Sequence, residues 1–411
     1  MTQVESRITP VLVEILRNGV IAVTEEMKTN LMRTAYNMII YEALDFTVGL
    51  FTATGETVSI SLGLPTFIRG MAETIRAKLK HFGKDGIEPG DILLTNDAYI
   101  TGSHLNHMTF SLPIFHEGEL IGFSCCMAHW QDVGGTLGGI TTDIFSEGLQ
   151  VPIVKYSKKG IVNQDLVDII RMNVRIPERA MGDLRAQITA LKSGEKRFLE
   201  LVKRYGRDEV LGSIAAIMDQ SEAAARARTR AIPDGIYVAE SFMDDDGMSV
   251  GASVPIKVRV TVAGDEMTID LTDVSKQVRG FYNSGITTGH ACAQVAFKCL
   301  TSPTDYPINE GLVPQSEGDR AAGPRDQRDA PRADALVDDL SDDRDRYGVQ
   351  GAGRCHPVSG HRGAPCRSLR VAGTRRRSQG REILPRPYGA ARRRLGRETL
   401  RGRRVGHGLH Q

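Results

Sequence analysis

The sequence predicts a mixed α/β (α+β) chain built from β-hairpins and long helices, followed by a disordered C-terminal tail. Three observations carry that prediction. Short apolar runs flank the turn-rich tetrapeptides Ala53–Glu56 and His116–Glu119; apolar residues recur at three- and four-residue spacing over 10–37 and 178–230; and composition changes abruptly after Gln315. At 411 residues, 41% hydrophobic and 25% charged, the chain is long enough for two or three domains, which excludes a fibre or a wholly disordered protein. The expected division is an N-terminal α/β domain over 1–232, a partial β-rich domain over 233–315, and the tail over 316–411.

In chain order, Leu12, Ile15, Leu16, Ile21, Met27, Leu31 and Ala35 define an amphipathic helix, or a broken pair, from Pro10 to about Asn37. Asp45–Phe51 and Thr57–Leu62 form a hairpin, 66–82 a helix, and Pro89-Gly90 turns the chain into a short strand, Asp91–Thr95. Asn96–Asn106 is polar and loop-like. Thr109–Phe115 and Glu119–Ala128 form a second hairpin centred near Glu117 and Gly118, so the numbers of opposed residues sum to about 235. That register sets His129 across from Asn106, between His104 and His107. Helices occupy 163–173 and 178–230, the second started by Pro177. Strands return at Gly235–Met243, Pro255–Val262 and Glu266–Leu271, and a Gly-, Ala-, Thr- and Cys-rich segment over 285–300 reads as a closely packed helix.

The formal charge of +2 averages two unlike pieces: residues 1–315 carry 30 Lys+Arg and 38 Asp+Glu, whereas 316–411 carry 22 Arg, no Lys and 12 acids. The tail also lacks Phe and Met. A basic arm for nucleic acid would neutralise phosphates, but such arms mix Lys with Arg and interleave aromatics. Arg, Gly, Ala, Pro and Asp without Lys, Phe or Met is what GC-rich DNA yields out of frame. Permitted codons for 316–353, read after loss of one nucleotide, encode protein-like text with aromatic and apolar residues. The tail is therefore read as a frameshift product beginning near Pro314, and no nucleic-acid partner is expected.

No run approaches the length of a membrane span, and MTQVESRITP lacks the pattern of a signal peptide, so a cytoplasmic protein with no membrane partner is expected. The six cysteines contain no CxxC pair, and Cys125 and Cys126 point to opposite faces of a strand.

His104, His107 and His129 meet at one end of the second hairpin, where three imidazoles on a rigid edge can hold a divalent metal and leave a position open to water. Asp45, Asp97 and Asp132 are the nearby carboxylates available as ligand or base. On spacing alone, hydrogen-bonded structural histidines are the leading reading and a metal site the alternative. The glycine run Asp132–Gly139 matches neither GxGxxG nor GxxxxGK[ST], and reads as a flexible loop over an active site rather than a nucleotide cradle. Glu42, Glu147, Asp183 and Gln187 read as capping or solvated surface groups, and Cys125 as a buried thiol.

Several segments resemble, in the right order, motifs of the hydantoinase B/oxoprolinase family. Asn96-Asp97-Ala98-Tyr99 resembles NDPY; Gly102-Ser103-His104-Leu105 resembles the start of GxTHLPD; and Ala128–Gly135 resembles AHHxDVGG. Asp45-Phe46-Thr47 is similar to DFS, Gly182–Gln187 to GDLxAQ, and Asn309-Glu310-Gly311 to a later NEG turn. The resemblance covers about residues 5 to 313, and the frame-shifted text resembles the family's sequence on the C-terminal side of NEG.

The resemblance implies a B-type subunit of an ATP-dependent cyclic-amide hydrolase (N-methylhydantoinase or 5-oxoprolinase-like), working as a hetero-oligomer with an A-type subunit that binds ATP and phosphorylates a small-molecule substrate. Carried over by position, the metal residues are Asp45, His104, His107 and His129, with Asp132 and Asp97 as catalytic carboxylates. His107 stands where the family usually has aspartate, which shifts preference from hard, oxygen-loving ions toward zinc or iron, among Zn, Mn or Fe. An acetone or acetophenone-type carboxylase subunit, and a non-catalytic or inactive truncated subunit, are the alternatives.

Overall fold

The computed structural model describes residues 8–137, 141–275, 278, 282–283, 286–301, 308–312 and 369–370. The expected disordered tail lies outside the described residues, apart from Leu369–Arg370.

The first described element is helix α1 (Pro10–Thr34). Thr9 starts it by accepting the Leu12 N–H on its Oγ1, and Pro10 occupies the first turn, where its missing N–H costs nothing. Val13, Leu16, Val20, Val23, Met27 and Leu31 make its buried stripe. After the short helix α2 (Met38–Tyr41) come β1 (Phe46–Thr52), β2 (Thr57–Leu62), α3 (Gly70–Phe82), β3 (Ile92–Thr95), the single turn α4 (Ala98–Thr101), β4 (His107–His116) and β5 (Glu119–His129). Next in the chain are β6 (Val154–Lys158), β7 (Ile161–Val162), α5 (Gln164–Asn173), α6 (Pro177–Tyr205) and α7 (Arg207–Thr229).

β1 to β7 form one antiparallel sheet in the order β2-β1-β5-β4-β3-β6-β7. Both faces are covered, so its central strands read as nearly continuous apolar runs. Cys126 and Ala128 face the core shared with α1 and α6, whereas Phe123, Cys125 and Met127 face the core under α3. The two cysteines do point opposite ways, and burial pushes both thiols up to about 12.

The helical run expected over 178–230 is two helices. Gly206, at φ +95, ends α6 and precedes α7 in a conformation that other residues rarely adopt. A second antiparallel meander comprises β8 (Gly235–Met243), β9 (Val254–Ala263) and β10 (Glu266–Asp270), with β11 (Leu369–Arg370) beside β10. α8 (Ile286–Thr301) then packs against α3, α4 and α7. The NEG turn is a clamp: Glu310 accepts from Arg69, Arg76 and the Thr57 N–H, and Asn309 donates to Ser221.

Candidate metal centre

The hairpin β4–β5 does bring its histidines together, with one correction to the register. His107 pairs with His129, not Asn106 with His129, because a bulge between Ile114 and Phe115 adds one residue and shifts every pair beyond it. The three rings meet there: centroids are 4.3 Å apart for His104 and His107, 4.8 Å for His104 and His129, and 5.1 Å for His107 and His129. β1 lies on the other side of β5 and is entered from Asp45, whose carbonyl accepts the His129 N–H at 3.0 Å. Asp45, His104 and His129 each offer a ligand atom, all within 4.8 Å of one another.

The neighbours fix how each group is presented. Asn106 Nδ2 donates to the Trp130 carbonyl at 2.9 Å, so its Oδ1 is the atom facing His104 Nδ1 at 3.2 Å. That makes His104 Nδ1 a donor and leaves Nε2 with the lone pair. His129 Nδ1 is buried with no hydrogen-bond partner. His107 differs: Nε2 meets Asp45 Oδ1 at 2.9 Å and Nδ1 meets Ser103 Oγ at 2.8 Å. A carboxylate can only accept, so Nε2 donates, and Nδ1 accepts from the serine. His107 therefore orients Asp45 and has no lone pair left for a cation in this tautomer.

Burial drives the electrostatics. It lowers His104 to about 3, helped by His107, and His129 to about 4, helped by His104. It also holds His107 well below the usual imidazole range and raises Asp45 against the pull of His129 and His104. The imidazoles are thus neutral at physiological pH, as ligation requires, and the carboxylate lacks a full positive partner. Two neutral imidazoles and a carboxylate, with one orphaned buried nitrogen, fit a divalent transition metal such as Zn, Mn or Fe.

The sequence leads into this cluster are strained and close-packed. Leu44 adopts φ +59, and a Cβ on Gly63 would lie 1.8 Å from the Leu44 carbonyl oxygen. α6 supplies the clamp. Asp183 Oδ1 accepts the N–H groups of Tyr36 and Asn37, and Asn37 Nδ2 donates to the His129 carbonyl at 2.9 Å. Gln187 accepts from Trp130 Nε1 at 2.8 Å and donates to the Met108 carbonyl at 3.0 Å. Asp183 and Gln187 are 1% and 0% exposed, and Glu147 is also buried, so the expectation of solvated surface groups is overturned for these three. Glu42 is exposed.

Neither of the other two predicted carboxylates belongs to the group of potential ligand atoms. Asp97 caps α4, accepting the Tyr99 N–H at 3.0 Å, and burial raises its carboxyl. Asp132 accepts the Gly134 N–H and an Arg175 Nη1 at 2.7 Å on Oδ1, and the Arg175 N–H on Oδ2. Gly134 and Gly135 have φ +84 and +65, and a Cβ on Gly135 would sit 2.5 Å from Glu147 backbone. The described part of the glycine run is thus pressed against 147–148. Gly138 and Gly139 lie outside the described residues.

Sequence reasoning passed over Asn37, Ser103, Asn106, Arg175 and the buried Lys78. Lys78 Nζ donates to the Thr109 carbonyl and Ser111 Oγ, and burial lowers it to about 7. The first four make contacts between segments distant in sequence, or serve a neighbour only after the hairpin closes, and no local pattern signals them.

The structure thus presents an antiparallel sheet covered by helices, with two histidines and a carboxylate gathered at a hairpin end. The chain belongs to the Hydantoinase B/oxoprolinase family, whose profile matches residues 9–317. The caprolactamase subunit beta of Pseudomonas jessenii is 30% identical over 308 residues, covering 74% of this chain and 52% of that protein. The 5-oxoprolinase 1 of Arabidopsis thaliana is 26% identical over 328 residues, covering 74% of this chain and 26% of that protein. The crystal structure of the ATP-dependent caprolactamase from Pseudomonas jessenii matches with a TM-score of 0.70 at 27% identity, covering 74% of this chain and 53% of that one. The chain spans about half the length of the first bacterial and archaeal relatives that it matches. Among the described residues, no helix is long and apolar enough to cross a membrane.

Proposed function

We propose that this chain is the B-type subunit of an ATP-dependent cyclic-amide hydrolase, completing the hydrolysis of a small-molecule substrate that an A-type partner subunit has phosphorylated. The observation that supports this reading is the meeting of Asp45, His104 and His129 within coordination reach, with the His129 Nδ1 buried and unpartnered. A divalent cation there would polarise the substrate's activated carbon–oxygen bond and acidify water.

The protein's own groups do the rest. Asn106 holds the His104 tautomer and Ser103 with His107 holds the Asp45 carboxylate, so the ligand atoms are set before anything binds. Of the two carboxylates proposed to move a proton, Asp97 is the better candidate. Its carboxyl is raised by burial, whereas both oxygens of Asp132 are engaged by Arg175. Residues 1–232 carry the site, and 233–315 begin a second domain whose reading frame is lost near Pro314; resequencing the DNA at that codon checks this directly.

The functional test is substrate-dependent ATP turnover with the A-type partner over a panel of cyclic amides, with the chain repaired in frame. Ring-opened amino acid and ADP, formed without bicarbonate and abolished in His104→Ala, are the expected outcome. A product whose mass increases by carboxylation only when bicarbonate is present would replace hydrolysis with the carboxylase reading. Retained turnover in His104→Ala would reduce this chain to a scaffold.

A further inference from the structure

On the side of α6 that faces the end of α1, an open groove of about 630 Å³ is lined by Arg33, Tyr36, Tyr41, Arg185 and Thr189. Both arginines are exposed, and among the described residues neither has a carboxylate within ion-pairing distance, although Arg175, Arg197 and Arg226 are all paired. Tyr36 and Tyr41, which line the same groove, expose 59% and 42% of their surface. The missing side chain of Gly182 lets the Tyr36 ring lie directly against α6, since a Cβ there would come within 2.5 Å of the ring.

We infer that this groove binds a small cyclic anion, its charged oxygens taken by the Arg33 and Arg185 guanidiniums and its ring laid against Tyr36 and Tyr41. Guanidinium forks match carboxylate and phosphate oxygens, and tyrosine rings provide flat apolar contact that keeps the hydroxyl wetted. The wall of the groove is also wired to the metal centre. Tyr36 precedes Asn37, whose side chain holds the His129 carbonyl at 2.9 Å, and the same segment runs on through Tyr41 to Asp45. A ligand ordering this wall acts on two groups of the cluster. The anion is assigned as a phosphate ester of a cyclic compound, an assignment that rests on the proposed function, in which a phosphorylated cyclic amide reaches this chain.

Phenyl phosphate and benzoate serve as probes, titrated calorimetrically into the full chain, into Arg33→Ala, Arg185→Ala and the double variant, with bound metal measured in every sample. Saturable binding of phenyl phosphate, weakened at least about tenfold in the double variant with metal content unchanged, is the expected result. Equal or tighter binding of benzoate overturns the phosphate assignment. Absence of saturable binding, or equal affinity in the double variant, overturns the groove itself. Because both arginines are exposed and outside the cluster, metal that stays bound while the probe fails sinks this inference alone. Probe binding in a protein that holds no metal sinks the metal-centre reading and leaves the groove standing.

Discussion

Two neighbouring regions carry buried polar groups and treat them in opposite ways. In the loop after β5, Asp132 is engaged through both oxygens, by the Gly134 N–H and by Arg175, whose Nη2 also reaches the Gly135 carbonyl. At the hairpin end a few residues earlier, three rings crowd within 5.1 Å, kept neutral by burial first and by their neighbours second, and leave a buried nitrogen unpaired. A satisfied network fixes backbone; an unsatisfied buried one, held by its surroundings, keeps a place for a ligand. The same contrast separates residues that look alike in sequence, since Asp45 and Asp132 both sit in family motifs.

The contrast breaks most sharply at the ligands. Replacing both His104 and His129 by Ala is expected to lower bound metal from near one per chain to below about 0.1, because two of three ligands are gone. Elemental analysis of Asp132→Ala in parallel should show the full content. His107→Gln is expected to weaken metal affinity by about 10- to 100-fold while leaving a saturable site, as loss of an orienting partner does; a chelator competition that shows complete loss would make His107 a ligand after all.

Stability separates the regions next. Gly63→Ala drives a methyl into the Leu44 carbonyl just before Asp45 and should cost about 3 kcal/mol or more in denaturant unfolding. Asp132→Ala releases the loop from a half-exposed arginine and should cost only about 1–2 kcal/mol. A reversed order would contradict this picture of how the two regions are held.

A further effect is a slope with pH in the metal-free protein. His104 and His129 titrate lower when folded than when unfolded, so the unfolded chain binds more protons as pH falls below about 6.5. Stability should therefore be fully present above that pH and decline toward pH 4, where His129 itself begins to charge. Replacing both by Gln should reduce the slope and leave the share that His107 contributes; an unchanged slope would assign it to other groups.

Much of this was legible in the sequence. The hairpin strands came from the apolar runs on either side of Glu117-Gly118, and folding them back necessarily brought residues near 104–107 to residue 129. The exact pairing was not legible, because the bulge at Ile114 and Phe115 leaves no mark in a run of apolar residues. Asp183 and Gln187 looked like polar positions on a helix face. Their partners, the backbone of Tyr36 and Asn37 and the Trp130 indole, come from segments with no sequence proximity, so only packing shows that they are buried clamps. Arg175 likewise lies far along the chain from Asp132, and composition had no means to tell an engaged carboxylate from an available one. Gly206 broke the long helix at a single residue within an otherwise unbroken period.

The most direct test is anomalous diffraction at the absorption edge of the metal found in the purified protein. One strong peak is predicted, about 2.0–2.2 Å from nitrogen atoms of His104 and His129 and an oxygen of Asp45, with His107 still bonded to Ser103. A peak elsewhere, or none in crystals equilibrated with excess zinc, manganese and iron, would contradict the assignment of a metal to this cluster.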